Sequence, residues 1–248
     1  IQQGVAISIF TRKEGKKKGL GAVHHCELWG KRENKFEALN KSNLATMKWN
    51  KLEYNEPYYF FVPKDFGASG EYEKGFSVVE VFKEYNSGIQ TKRDGTTIAC
   101  TRNDIEKVTS DFQELANDEI RLKYDLPEDG RDWTIELAKK DLNRGFKVGQ
   151  ILYRPFDIRW TAYTARSKGF IAYPREKINK HIFEKDNRVL ITCRNQVFNT
   201  IALITDKISD LRTYSNPGSL GTDYVFPLYL YADDGSKVPN LKREIIPS

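Results

Sequence analysis

The sequence predicts an α+β fold that is rich in strands, for three reasons. Beyond Gly145 the chain alternates apolar segments of strand length with polar turns. Ahead of that point, apolar residues recur at helical spacing in separate segments. Finally, 39% hydrophobic residues, with 12% aromatic residues, are enough to build a core in a chain of 248 residues. We therefore expect one large domain or two smaller ones.

The N-terminal segment predicts two strands, GVAISIFTRK and VHHCELW, which the basic turn KEGKKKGLG joins as a hairpin. The following KRENKFEALNKSNL has apolar residues at helical spacing and predicts a helix. A β-turn-β-α unit of about 50 residues is too small to fold alone, so we expect it to end a larger α/β domain. The start IQQGVAISIF lacks the pattern of a signal peptide, and we expect it to lie inside a longer protein.

The middle of the chain predicts a short strand at EPYYFFVPKDF, a loop at GASGEYEKG and a strand or short helix at FSVVEVFKEY. Asp94-Gly95 indicates a turn. Two helices follow. The first spans residues 101–117, with Thr101 suited to its first turn, and the second is WTIELAKKDLNRG, which Asp132 can cap and Gly145 ends.

The C-terminal part is dominated by strands. A helix interrupts them at PREKINKHIF, where Pro174 suits the first helical position. The predicted strands are GQILYRPF, IRWTAYTA, NRVLITCRN, TIALITDK and YVFPLYLYA.

Composition restricts the classes of function. No apolar run approaches the roughly 20 residues that span a bilayer. The odd, widely separated Cys26, Cys100 and Cys193 argue against a disulfide framework and suit a reducing cytoplasm. Adjacent residues of a strand point to opposite faces, so His24-His25-Cys26 does not predict a metal site. We therefore expect a cytoplasmic protein without a metal ion.

The formal net charge of +6 is unevenly distributed. Residues 1–55 carry 11 basic and 5 acidic residues, residues 56–150 carry 14 and 19, and residues 151–230 carry 12 and 7. Two basic segments thus flank an acidic one. Such segregation is compatible with a polyanionic partner, although a modest excess of charge does not by itself require one.

No motif indicates a catalytic centre. NEPYYF resembles the Asn/Asp-Pro-Pro-aromatic motif of amino-group DNA methyltransferases, but Glu56 replaces the first proline and no glycine-rich cofactor loop precedes it. We interpret it as a structural turn. GKKKGLG lacks the spacing of a phosphate-binding loop, and VVEVFK lacks that of a nuclease motif. We expect neither catalytic residues nor a bound cofactor in this chain.

The stretch YRPFDIRWTAYTARSKGFIAYPREK interleaves cations with aromatic residues. Alternate aromatics can fill the inner face of a sheet, and guanidinium groups can bind phosphates or guanine edges. Arg194-Asn195-Gln196 offers the side chains that contact bases bidentately, and Lys207 lies on a loop suited to phosphates. The candidate DNA-binding residues are Arg154, Arg159, Arg166, Lys168, Arg175, Arg194, Asn195, Gln196 and Lys207.

Other classes of function remain open. A scaffold domain could use the same cations to bind an acidic protein. A binder of single-stranded nucleic acid would expose Trp160, Tyr163 and Phe170 as stacking platforms. Burial of these rings beneath arginines would favour duplex DNA.

Five strings resemble, in order, the C-terminal region of Type ISP restriction–modification enzymes: SGIQTKRDG, YRPFDIRW, SKGFIAYPR, TDKISD and YVFPLYLY. In that family a nuclease, a helicase-like motor, an adenine-specific methyltransferase and a target-recognition domain follow one another on one polypeptide. The resemblance implies that residues 1–55 are the last strands of an α/β methyltransferase fold. Residues 56–248 would then be a target-recognition domain of mixed α and β structure.

The resemblance also implies partners and cofactors. Double-stranded DNA would be the ligand, and the methyltransferase and helicase-like domains would lie upstream in the same polypeptide. S-adenosylmethionine would bind the complete enzyme, whose catalytic motif and cofactor loop are absent from this chain. We therefore expect a sequence-specific recognition module that is not catalytic by itself.

Overall fold

The computed structural model describes residues 5–12, 14–15, 19–193, 202–214 and 221–245. The chain divides into two compact units, Ile1–Gly75 and Phe76–Ser248. The architecture is mixed α and β, as the sequence predicts. None of the helices in the described ranges is long and apolar enough to cross a membrane.

The first unit contains little regular structure. Its elements are β1 (His24–His25), α1 (Arg32–Lys41), β2 (Asn50–Lys51) and α2 (Ser69–Tyr72). The two strands pair in antiparallel fashion. Helix α1 confirms the predicted helix, whereas residues 5–12 and 56–66 form no strand. These two strand predictions are wrong because alternating apolar residues form a strand only where another strand satisfies their backbone groups.

The second unit carries the remaining described elements. In chain order they are α3 (Val78–Val81), β3 (Asn86–Ser87), α4 (Asp94–Thr97), β4 (Ile98–Ala99), α5 (Arg102–Glu114), α6 (Asn117–Lys123), α7 (Ile135–Asn143), β5 (Lys147–Arg154), β6 (Asp157–Tyr163), α8 (Glu176–Asn179), β7 (Val189–Cys193), β8 (Leu203–Thr205), β9 (Ile208–Ser209), β10 (Asp223–Pro227), β11 (Tyr229–Tyr231) and β12 (Lys237–Pro239).

Two four-stranded sheets organise this unit. One has the order β3-β10-β7-β8 and is antiparallel throughout. The other has the order β4-β6-β5-β9, in which β9 runs parallel to β5. A bulge between Leu152 and Arg154 interrupts the β5–β6 pairing just before its two-residue connection, Pro155-Phe156. This hairpin contains much of the cation-rich stretch.

One continuous core joins the second sheet to the helices. Helix α5 contributes Ile105 and Phe112, and helix α7 contributes Ile135 and Leu142, all of them fully or almost fully buried. Strands β5 and β6 add Ile151 and Ala162. The apolar residues of both helices follow helical spacing, so each helix buries one face. The β5–β6 hairpin therefore packs against the helical layer formed by α5 and α7.

Several predicted boundaries move for identifiable reasons. Thr101 caps α5 by accepting from Asp104 N, as predicted, but α7 is capped by Thr134, which accepts from Leu137 N. Asp132 does not cap that helix because its carboxylate pairs with Arg131. Helix α8 is only one turn long and begins after Arg175, which is left-handed at φ 53°. The predicted strand YVFPLYLYA is broken into β10 and β11, because Leu228 N donates instead to Arg188 O.

Candidate functional site

The aromatic ring of Tyr153, near the end of β5, holds two arginines of the hairpin. The guanidinium carbons of Arg154 and Arg159 lie 3.8 and 4.5 Å from its centroid, within range of cation–π attraction. Its hydroxyl donates to Asp94 Oδ2 at 3.1 Å. Burial raises the pKa of Tyr153, so the phenol stays protonated and able to donate. Tyr153 thereby positions cations from both strands.

Arg154 is also held from below by the buried carboxylate of Asp210. Arg154 Nη1 lies 2.9 Å from Asp210 Oδ1, and the Asp210 side chain is only 6% exposed. The backbone N–H of Arg212 donates to the same oxygen at 3.0 Å. Burial raises the pKa of Asp210, and the nearby carboxylate of Asp94 adds to this effect, while Arg212 and Arg154 oppose it. Arg154 therefore compensates a charge inside the protein.

A cleft of about 310 Å³ opens beside this ion pair. We call it the basic cleft; its lining residues are Gln90, Thr91, Lys92, Asp94, Arg154, Asp210, Leu211 and Arg212. Lys92 and Arg212 are exposed at its surface. The cleft thus combines the buried carboxylate of Asp210 and the partly exposed carboxylate of Asp94 with cations that reach solvent.

Backbone pairing assembles the basic cleft from distant segments. Ile89 N donates to Ser209 O at 2.9 Å, while Gln90 and Tyr173 exchange two backbone hydrogen bonds at 2.9 and 3.0 Å. A Cβ on Gly88 would lie 2.4 Å from Asp210 O, so this approach requires glycine. The guanidinium of Arg175 lies 5.3 Å from the ring of Tyr173. The string SGIQTKRDG therefore lies between TDKISD and SKGFIAYPR.

The loop that carries Lys168 is anchored on Asp141 of helix α7. Asp141 is 5% exposed; its Oδ1 accepts from Arg166 Nε at 2.5 Å, and its Oδ2 accepts from Phe170 N at 2.9 Å. Arg166 Nη2 also donates to the carbonyls of Asp141 and Gly145. A Cβ on Gly169 would lie 1.9 Å from Asp141 Oδ2, which explains the glycine in SKGF. Arg166 therefore holds the loop in place.

The predicted DNA-binding cations fall into two groups. Arg154, Arg159, Arg166 and Lys207 pair with Asp210, Asp157, Asp141 and Asp206 respectively. In the described part of the chain, by contrast, no carboxylate lies within 4.0 Å of the side-chain nitrogens of the predicted Lys168 and Arg175. The same holds for Lys92 and Arg212, which were not among the predicted residues. DNA contact by any of these residues stays a prediction. Arg194, Asn195 and Gln196 lie outside the described residues.

Sequence reasoning missed seven of the eight residues that line the basic cleft. They are Gln90, Thr91, Lys92, Asp94, Asp210, Leu211 and Arg212. A signal was available, because all but Leu211 and Arg212 lie within SGIQTKRDG and TDKISD, and those two follow directly after TDKISD. Those strings have no periodicity or spacing that indicates a site, and only the fold brings them together.

The aromatic residues of the cation-rich stretch are largely buried. Tyr163 is 6% exposed, Phe170 is fully buried, and Trp160 is partly buried with Arg102 5.7 Å from its ring centroid. These rings do not form an exposed stacking platform. Phe156, at the tip of the β5–β6 hairpin, differs from them in being 91% exposed.

A family model described as the Type ISP C-terminal specificity domain matches residues 80–247. The chain belongs to this family. The resemblance found in its sequence is therefore confirmed, and the domain is the specificity domain of Type ISP restriction–modification enzymes. No curated protein is similar enough in sequence to count as a match.

Three solved structures share the fold of this Type ISP specificity domain. A nuclease-deletion mutant of the Type ISP enzyme LlaGI, in complex with a DNA substrate mimic, matches 90% of the chain at 17% identity with a TM-score of 0.56. The ATP-dependent Type ISP enzyme LlaBIII bound to DNA matches 86% at 19% identity and 0.55, and DrdV in a DNA complex matches 86% at 16% and 0.51. The chain spans 23%, 15% and 23% of those chains, respectively.

Proposed function

We propose that this domain recognises a specific sequence in double-stranded DNA on behalf of a restriction–modification enzyme. The observation that carries the proposal is a group of cations for which the described residues provide no carboxylate within 4.0 Å: Lys92 and Arg212 line the basic cleft, Arg175 lies against Tyr173, and Lys168 lies on the anchored SKGF loop. Cations that are not neutralised within the protein are free to replace the counterions of phosphates. That the similar structures of LlaGI, LlaBIII and DrdV contain DNA supports the choice of partner.

Two roles divide the basic residues. Arg154 and Arg166 compensate buried carboxylates and fix the geometry of the cleft and of the SKGF loop. Lys168 and Arg175 bind phosphates, which fixes register without reading sequence. Arg194, Asn195 and Gln196 read base edges, because their planar groups can pair bidentately with guanine or adenine.

The proposal also covers the place of this chain within a complete restriction–modification enzyme. We propose that residues 1–55 end a methyltransferase domain and that residues 56–248 form the recognition domain. The methyltransferase would flip the target adenine and use S-adenosylmethionine upstream of this chain. The helicase-like domain would also precede it, and the enzyme would act in the cytoplasm.

The experiment is a titration of duplex DNA at several salt concentrations, followed by fluorescence anisotropy. Because the cations displace counterions, affinity should fall steeply with salt, and Lys168→Ala or Arg175→Ala should each reduce the log-log slope by about one. Lys123→Ala is the matched control: it removes one charge, but that charge is already paired with Asp111 at 2.6 Å. Affinity that ignores salt would overturn the proposal.

Two further arms separate the alternatives. Single-stranded DNA of the same sequence should compete poorly, since Tyr163 and Phe170 are buried and Trp160 is partly buried, so these three rings do not form a stacking platform. Stronger binding to a polyglutamate peptide than to duplex DNA would instead support a scaffold for acidic proteins. Base reading is tested by binding-site selection on the complete enzyme with Arg194→Ala, Asn195→Ala and Gln196→Ala, where the responsible residue should cost roughly 1–3 kcal/mol on the preferred site only.

A further inference from the structure

The tip of the β5–β6 hairpin presents an aromatic ring to solvent in a strained conformation. Phe156 has φ 63°, in the left-handed region, where turns normally place glycine or asparagine. Its side chain is 91% exposed, and the neighbouring Ile158 is 49% exposed. A bulky residue in this region is disfavoured by sterics, and its exposed ring adds no packing to the fold. The left-handed backbone of Phe156 therefore destabilises the fold, and its exposed ring does not offset this by packing against the core.

The end of β5 that leads into this tip is held by hydrogen bonds and ring contacts. Leu152 O accepts from Asp210 N at 3.0 Å and from Thr213 Oγ1 at 3.1 Å, immediately before the bulge. Tyr153 is fixed by its hydrogen bond to Asp94 and by the stacked Arg154 and Arg159. Phe156 thus projects from a fixed support.

Two arginines lie close to this apolar tip, and each is paired with a carboxylate, Arg154 with Asp210 and Arg159 with Asp157. Arg154 and Arg159 lie on the two strands directly behind Phe156, and both stack on the ring of Tyr153. The segment of residues 151–230 that contains them carries 12 basic and 7 acidic residues. A single apolar ring offers too little apolar area for a stable protein interface, but it matches the side chains that insert between base pairs. Arg154 also lines the basic cleft, where Lys92 and Arg212 are the cations suited to the adjacent phosphates.

We propose that Phe156 is a wedge that inserts at a base step of duplex DNA and partly unstacks it. This inference rests on the proposed function, since it names how the same domain engages its DNA. Insertion requires the step to open, so the wedge should favour duplexes in which stacking is already weakened. The strain at Phe156 would then serve to hold the ring in the inserting direction.

The test compares two duplexes of equal length and charge, one fully paired and one with a single central mismatch, using the whole chain. The parent should bind the mismatched duplex about 5- to 10-fold more tightly, because unstacking a mismatch costs less. Phe156→Ala should lose this preference while keeping the salt slope of the parent, since no cation is removed. Leu122→Ala is the control, because Leu122 is 86% exposed in the same unit.

A second variant separates function from folding. Asparagine tolerates the left-handed region, so Phe156→Asn should unfold at the same temperature as the parent or higher, and it should still lose the mismatch preference. Retention of the preference by either variant would overturn the wedge while leaving DNA binding intact. A lower salt slope in Phe156→Ala would also overturn it, because that result indicates a displaced cation. If the parent binds neither duplex, the proposed function and the wedge fail together.

Discussion

The two units of the chain contain similar apolar residues but bury them to very different degrees. Among the described residues of the first unit, Leu52 is the one buried hydrophobic side chain, while Ile7, Phe10 and Trp29 are more than 70% exposed. The second unit buries a continuous cluster of aliphatic and aromatic side chains. An apolar pattern in a sequence shows which side chains would be stabilised by burial. It does not show whether the rest of the chain provides a surface that buries them.

The comparison is tested most directly by truncating one phenylalanine in each unit. Phe112 is fully buried against Trp133 and Phe170, so Phe112→Ala should lower the free energy of unfolding by about 3–5 kcal/mol. Phe36, on helix α1, is 52% exposed. Phe36→Ala should therefore change the free energy of unfolding by less than about 0.5 kcal/mol. Urea denaturation of both variants measures the difference. Equal losses would show that the first unit has a core of its own.

A buried carboxylate in the second unit and an exposed one in the first unit test the same difference in burial. Asp141→Ala leaves Arg166 and the N–H of Phe170 without their partner in a buried site, and should cost about 2–4 kcal/mol. In the first unit, Glu37 pairs with Lys41 where both side chains are more than 60% exposed, so Glu37→Gln should cost less than about 0.5 kcal/mol. Thermal unfolding of the two variants checks the ranking. A stable Asp141→Ala protein would show that the SKGF loop is held by other contacts.

The sequence predicted what depends on local pattern. Helices α1 and α5 follow apolar spacing, and the cap at Thr101 follows from its own hydroxyl. The strand prediction at residues 5–12 failed because a strand needs a partner that periodicity does not reveal. The basic cleft could not be predicted, since Gly88 meets Asp210 and Gln90 meets Tyr173 only after folding. The residue types suggested which cations could bind DNA. They did not show that two of these cations pair with the buried carboxylates of Asp141 and Asp210.

Two glycines offer a smaller test of close packing. A methyl group on Gly88 would meet the backbone of Asp210 and Leu211 at 2.4–2.8 Å, which a flexible side chain cannot relieve. Gly88→Ala should therefore cost about 1–3 kcal/mol. Gly70 lies within helix α2 of the first unit with open space around it, so Gly70→Ala should be neutral or stabilise by up to about 1 kcal/mol. Unfolding midpoints in urea would measure both, and a neutral Gly88→Ala would contradict the assembly described for the basic cleft.

The smallest expected effect is a pH dependence that comes from the second unit. His181 is buried, and its Nδ1 accepts from Tyr231 N at 2.9 Å, which requires that this nitrogen carry no proton. Burial lowers the pKa of His181, the ammonium of Lys180 adds to this effect, and Glu176 and Glu84 oppose it. In the unfolded chain the imidazole has its ordinary pKa of about 6.5. The contribution of neutral His181 to stability is therefore complete above that pH.

As the pH falls below about 6.5, the unfolded chain takes up a proton that the folded chain does not, so the free energy of unfolding decreases. His181→Asn retains an acceptor for Tyr231 N but cannot titrate, and it should lose less stability than the parent between pH 7.5 and pH 5.5. Exposed His24 provides the control, because His24→Asn removes an imidazole from the first unit. If the parent and His181→Asn lose equal stability over this range, the acid sensitivity arises from carboxylates elsewhere in the chain, and the buried imidazole has no part in it.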